Sequence, residues 1–248
     1  MQRPADVTDM IHLHAVTCSS TISGSRAPLL SNVDLDIARG RYALLSRTPE
    51  AHRALIDVLA GLRRPRHGFV EHRGRVSWPL GRQGFIRGKA NGLRMIEFVC
   101  ALHGLPAKAA IELVADLITC PAHLELPMEH WPLATRQEVS FALALAPDFD
   151  VYVIDGALPH EASRFARLWR ALFDERLVGR TLILSTYRRQ QMADYCAKGL
   201  VYEGSSLRID ADLDECLRRF PPRRANSESS ASADGNGLDA AARGPFDV

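Results

Sequence analysis

Val151-Tyr152-Val153-Ile154 and, further along, Thr181-Leu182-Ile183-Leu184 have strand character, and the residues between them, around Phe165 to Phe173, have that of a helix. Strand, helix and strand in that order make a βαβ unit, which brings two strands into one sheet. Asp155 follows directly on the first strand. Upstream, Tyr42-Ala43-Leu44-Leu45 is a short apolar run of the kind that a sheet buries on both faces, and Ala38-Arg39-Gly40 turns into it.

Before that run, Met10 to Val16 and then Val33, Leu35 and Ile37 alternate with polar residues, predicting two half-buried strands around a Ser/Gly-rich turn region from Ser19 to Ser25. After it, Thr48-Pro49 predicts a helix start with proline at the first helical position. Leu55, Leu59 and Leu62 mark its apolar face, and Gly61 and Pro65 end it. Residues 91–146 lack clear strands. They carry helical stripes, Ile96, Val99 and Leu102 or His103 in one, and Leu113, Leu117 and Ile118 in another. Gly199 to Tyr202 and Leu207 to Ile209 predict a closing hairpin across Glu203-Gly204-Ser205-Ser206. From Pro221 onward the chain is rich in Pro, Arg, Ser, Ala and Gly, a composition expected to stay disordered.

The chain of 248 residues is 46% hydrophobic and 24% charged, with a formal charge of +2. It is therefore long enough for a sizeable core, and it offers no global electrostatic footprint for nucleic acid or an anionic membrane. The five cysteines stand apart without metal-ligand spacing and read as reduced cytosolic thiols. No apolar run reaches the length of a membrane span, and the first residues lack the apolar stretch of a secretory signal. The expectation is a cytoplasmic chain, reaching the inner face of the cell membrane only through a partner.

Local wording then narrows the fold. Val76-Ser77-Trp78-Pro79-Leu80, Gly84-Phe85, Gly88 and Glu97-Phe98-Val99-Cys100 resemble, in order, the stretch after the first sheet of capsular-polysaccharide-export ATPases, a family of ABC-transporter ATP-binding subunits. Val139 to Leu145, Phe149 to Asp155 and Ser163-Arg164-Phe165 are similar to that family's helix and Walker B region, and Gln191 to Cys196 to its segment after the switch region. The resemblance implies an α/β fold: an ABC-type P-loop NTPase-like core with a mixed, mostly parallel sheet and antiparallel N-terminal strands. A helical subdomain over about 91–146 completes a domain of residues 1–220, and 221–248 form the tail.

It also implies a site for ATP and Mg²⁺, in which glycines let backbone N–H groups cradle phosphates, a Lys reaches the β/γ oxygens and a Ser/Thr hydroxyl binds the metal. The stretch of this chain that matches is Ser46-Arg47-Thr48-Pro49-Glu50-Ala51-His52-Arg53-Ala54. It has no glycine; His52 stands in the Lys position and Arg53 in that of the metal-binding hydroxyl. Asp155 is the Walker B equivalent and the one candidate metal residue, with a structural carboxylate as the alternative. Ser46, Arg47, His52 and Arg53 are the candidate nucleotide contacts. Arg47, His52 and Arg53 could form an alternative anion clamp, or belong to an ordinary capped helix with an exposed basic face. By the same resemblance, Trp131-Pro132-Leu133-Ala134-Thr135 takes the place of the signature loop, Gly156 that of the catalytic glutamate and Tyr187 that of the switch histidine. Ser20 falls near the place of an adenine-stacking aromatic and Gln83 near that of a metal-contacting glutamine. No catalytic residue is assigned, and ATP and Mg²⁺ binding is expected to be weak or lost.

The implied function is that of a degenerate ATP-binding-type subunit of an exporter of capsular or other surface polysaccharide, docked on a membrane permease. It would pair with itself or with an intact ATPase subunit. Residues 78–92, with Phe85, Ile86, Arg87 and Lys89, could form the docking edge or a solvated loop anchored by Trp78. Two alternatives stand beside this: a competent half-site partner contributing Asp155 to an asymmetric dimer, and a non-enzymatic polyanion-binding module using Arg63, Arg64, Arg66, His67, His72, Arg73 and Arg75.

Overall fold

A computed structural model describes residues 9–22, 25–48, 50–82, 86–160 and 162–220. The chain runs β1 (Asp9–Ile22), β2 (Ser25–Ala38), β3 (Arg41–Ser46), α1 (Ala51–Leu59) and β4 (His67–His72). It continues through α2 (Gly92–His103), α3 (Ala107–Leu117), two short 3₁₀ turns and α4 (Leu133–Leu143). Then come β5 (Val151–Asp155), α5 (Arg164–Arg176), β6 (Thr181–Ser185), α6 (Arg189–Tyr195), β7 (Lys198–Glu203), β8 (Ser206–Asp210) and α7 (Leu213–Arg219).

Two sheets result. One is antiparallel in the order β2-β1-β4; the other runs β5-β6-β3-β7-β8, with all neighbours parallel except the β7-β8 hairpin. The extended segment Val76–Leu80 adds to the β5 edge: Ser77 N–H donates to Val151 C=O and Leu80 N–H to Val153 C=O, each at 2.9 Å. The mixed sheet with antiparallel N-terminal strands and added helices is the architecture that the resemblance implied.

Period-two alternation in β3 explains how the layers are joined. Ala43 and Leu45 enter one apolar cluster, with Tyr152, Ile154, Leu182 and Leu184 and the helices α2 to α5; Tyr42 and Leu44 enter the other, with α1 and strands β1 and β2. A strand buried on both faces has no polar position to spare, hence its unbroken apolar wording. The helical layer is pinned where the Trp169 indole of α5 donates to the Phe141 carbonyl of α4 at 2.8 Å, with the two rings edge to face.

Several boundaries differ from expectation. Strands β1 and β2 extend to Ile22 and from Ser25, so Ser19 to Ser25 is mostly strand, and residues 23–24 lie outside the described residues. Long cross-strand pairing, Ser19 with Pro28 and Ser20 with Ala27, overrides the local turn composition. Helix α1 begins at Ala51 rather than at Thr48-Pro49, and Pro49 is outside the described residues. Leu62 lies past its end and is exposed. In α2, His103 rather than Leu102 completes the inner face; its ring meets Phe149 edge-on, whereas Leu102 faces outward. In α3 the buried face is Ala110, Val114 and Leu117 rather than Leu113. The tail, residues 221–248, lies outside the described residues.

Candidate functional site

The connection from β3 to α1 closes on itself. The Ser46 hydroxyl accepts from Thr48 N–H at 2.8 Å, and Ala51 N–H donates to the Thr48 carbonyl at 3.0 Å. Backbone donors at a helix start are what an anion would use, and here two of them are satisfied within the chain. Glu50 precedes the helix, exposed and without a side-chain cap.

The basic residues of this stretch do not converge. His52 is buried in α1, where its Nδ1 lies 2.8 Å from the Ser185 hydroxyl at the end of β6. That position departs from the exposed basic face expected of it. Arg47 turns toward the Phe220 ring, 5.6 Å from its centroid, and Arg53 is exposed, its carbonyl facing Arg82.

Asp155 ends β5 and is only 3% exposed. Its Oδ2 accepts from Arg82 Nε at 2.8 Å, and the same guanidinium donates from a terminal nitrogen to Asp57 Oδ1 of α1 at 2.6 Å. Burial opposes charge on Arg82, but its hydrogen bonds and ion pairs with Asp57 and Asp155 outweigh that and raise its pKa. The next residue, Gly156, has φ +146°, and a Cβ there would lie 2.9 Å from the Gly81 carbonyl oxygen. Gly156 borders a cavity of about 280 Å³ that also touches Phe141, His160, Ser163 and Tyr187.

Other candidate positions serve local structure. The Trp131 indole donates to the Leu126 carbonyl at 3.0 Å, and the Thr135 hydroxyl lies 2.8 Å from His123 Nδ1. Tyr187 is partly exposed beneath the Arg188 guanidinium. Ser20 is approached by Arg63, which donates to the Ser19 carbonyl at 2.7 Å, and His72 reaches the Leu59 carbonyl at 2.8 Å. Two members of the basic cluster thus tie β1 and α1 to the segment around β4; Arg64, Arg66, His67, Arg73 and Arg75 are exposed. Gln83, Gly84 and Phe85 lie outside the described residues, whereas Ile86 is buried and Arg87 and Lys89 are exposed. Asp9, His12 and Asp36, on the N-terminal sheet, bring three potential ligand atoms within 4.8 Å of one another.

Arg82, Asp57 and Ser185 were not singled out by sequence. Arg82 pairs with residues 73 and 25 positions away, and a lone arginine in an arginine-rich chain gives no local sign of such a contact.

No family model matches the chain. It is 24% identical over 193 residues to the ATP-binding protein BexA of Haemophilus influenzae, covering 77% of this chain and 89% of that protein. The same identity and coverages hold for the capsule polysaccharide export ATP-binding protein CtrD of Neisseria meningitidis serogroup B. In structure it superposes on the ATP-binding subunit of an ABC transporter with a TM-score of 0.65 at 16% identity, over 85% of this chain and 92% of that one. A dimeric ATP-binding cassette in a post-hydrolysis state, bound to ADP and Pi, gives a TM-score of 0.62 at 14% identity, over 82% and 98%. Among the described residues no helix is long and apolar enough to cross a membrane. The chain has the ATP-binding-cassette fold and, over about three-quarters of its length, resembles ATP-binding proteins of capsule polysaccharide export.

Proposed function

We propose that this chain is a cassette-type subunit of an exporter of capsular or other surface polysaccharide, docked on a membrane permease, that supports transport without hydrolysing ATP itself. The similarity to capsule-export ATP-binding proteins supports the transport setting. The observation that carries the non-hydrolytic part is the burial of His52 against Ser185. The residue in the place of the phosphate-reaching lysine spends its ring on the neighbouring strand. Two backbone donors before it, the N–H groups of Thr48 and Ala51, are engaged by Ser46 and Thr48.

Mg-ATP fits these residues poorly. Phosphates require free N–H groups and a reachable cation at the helix start. This chain offers Glu50 there, and a carboxylate at a helix N-terminus repels the anion that should bind. Asp155 is held by Arg82, so the competent half-site reading, which requires that carboxylate for a metal, is the less favoured one. Docking is supported by α2, on which Phe98 and Leu102 are 63% and 67% exposed one turn apart.

The test is co-expression of the full chain with a polysaccharide-export permease and an intact ATP-binding subunit. The expected outcome is recovery of the chain with membranes only when the permease is present, reduced by Phe98→Glu. Hydrolysis by the complex should depend on the intact subunit's P-loop lysine and not on Asp155. A chain that ignores the permease, or a complex whose hydrolysis vanishes with Asp155→Asn, would contradict the proposal.

A further inference from the structure

We propose that Arg82 is a built-in counter-cation that takes the place of a divalent metal beside Asp155 and closes this position to metal. The inference rests on the reading of the site as non-hydrolytic and supplies a physical reason for it.

A carboxylate as buried as Asp155 must be protonated, paired or bound to a metal, because an isolated charge in that setting is too costly. In this chain a side chain of the same polypeptide, Arg82, pairs with it. Arg82 uses two different nitrogens of one planar fork, Nε on Asp155 Oδ2 at 2.8 Å and a terminal nitrogen on Asp57 Oδ1 at 2.6 Å. The geometry is fixed from both ends: Asp155 closes a strand whose backbone N–H donates to Leu80 C=O at 2.7 Å, and Asp57 lies within α1. Gly81, at φ +80°, then turns the chain immediately before Arg82.

A guanidinium excludes a metal here more firmly than a lysine would. Lysine can surrender its proton when a cation approaches, whereas arginine stays charged throughout the range in which proteins are folded. Magnesium demands oxygen ligands at about 2.0–2.1 Å in a near-octahedral shell. To reach Asp155 Oδ2 it would have to displace the guanidinium or sit in like-charge contact with it. The Arg82 side chain is itself 15% exposed and held at two carboxylates, so displacement would also break the bond to Asp57. Without the arginine, Asp57 and Asp155 would stand together across the same gap as a pair of hard oxygen donors, the ligand type that divalent cations select.

The test uses the purified full chain without nucleotide. Mn²⁺ is titrated while the electron paramagnetic resonance signal of the free ion is followed, and the thermal midpoint is measured with Mg²⁺ and with chelator. Because Asp9, His12 and Asp36 could take Mn²⁺ independently, each measurement is paired with Asp155→Asn.

The natural chain should show no Asp155-dependent binding and no metal-induced rise in midpoint that Asp155→Asn removes. Arg82→Gln should gain a site at least about tenfold tighter than any in the natural chain, lost again in Arg82→Gln/Asp155→Asn. Metal binding by the natural chain that disappears in Asp155→Asn would overturn the proposal, as would an Arg82→Gln variant with unchanged circular dichroism that gains no site. If Arg82→Gln does not fold, the midpoints of the natural chain and Asp155→Asn decide alone: a Mg²⁺-induced rise lost in Asp155→Asn overturns it, and no rise supports it. Nucleotide is absent throughout, so the two readings fail separately. Mn²⁺ at Asp155 in a chain that does not hydrolyse ATP would overturn only the counter-cation; Asp155-dependent hydrolysis in the transporter complex would overturn the proposed function.

Discussion

The Arg82 guanidinium joins the end of β5 to α1, because it donates to Asp155 and Asp57 together. Breaking a buried ion pair by removing one partner strands the other, at a cost of up to about 3–5 kcal/mol. Arg82→Ala should therefore destabilise the chain strongly, since it removes the guanidinium that two carboxylates share, buried Asp155 among them. Asp155→Ala should cost less, because Arg82 keeps Asp57. In urea unfolding the double variant should be less destabilised than the sum of the two, with a coupling of about 0.5–3 kcal/mol. Additive single effects would show that the pair contributes nothing.

Restoring the absent glutamate should fail for a backbone reason. At φ +146° only glycine is comfortable, and a Cβ at position 156 would press on the Gly81 carbonyl at 2.9 Å. Gly156→Glu should lower the thermal midpoint and confer no ATP hydrolysis. Gly156→Ala should lower it by nearly as much, because the Cβ causes most of the strain. A Gly156→Ala variant as stable as the natural chain would contradict this.

The strands of the mixed sheet were legible because burial on both faces demands uninterrupted apolar residues, as in Val151 to Ile154. Strand β4 was hidden by the opposite circumstance. Its residues, His67-Gly68-Phe69-Val70-Glu71-His72, are mostly exposed at a sheet edge, so nothing in their composition announces pairing with β1. The site was half legible. The P-loop and Walker B equivalents could be placed by order along the chain, but whether His52 points outward or inward depends on Ser185, which is 133 positions away. The Arg82 contacts are of the same kind, created by the fold and carried by no local pattern.

Thiol chemistry should follow burial. Cys120 is partly exposed, whereas Cys18, Cys100, Cys196 and Cys216 are buried. Alkylation of the folded chain near neutral pH, read by mass spectrometry, should modify Cys120 first. Burial pushes the Cys196 thiol up to about 12 against the opposing charge of Arg41, and burial followed by Asp210 pushes Cys216 up to about 11. An unfolded thiol ionises near 9.0, so the folded state favours the neutral form. That contribution to stability is whole below about pH 9 and is lost as the pH rises toward 11 and 12. The thermal midpoint should therefore fall between pH 8 and pH 10.5, and less steeply in Cys196→Ala measured against its own value at pH 8. Equal slopes would contradict the assignment.

The central claim is that this cassette fold has filled its own nucleotide site, and titration of the purified chain with labelled ATP and Mg²⁺ tests it most directly. With His52 turned to Ser185, the Ser46–Thr48 loop closed on itself and Asp155 held by Arg82, the expected result is no saturable binding at ~micromolar concentrations. Hydrolysis should be no faster than in buffer, and His52→Lys/Arg53→Ser should restore neither. Micromolar binding by the natural chain, with turnover abolished by Asp155→Asn, would contradict the claim and make this an unconventional ATPase.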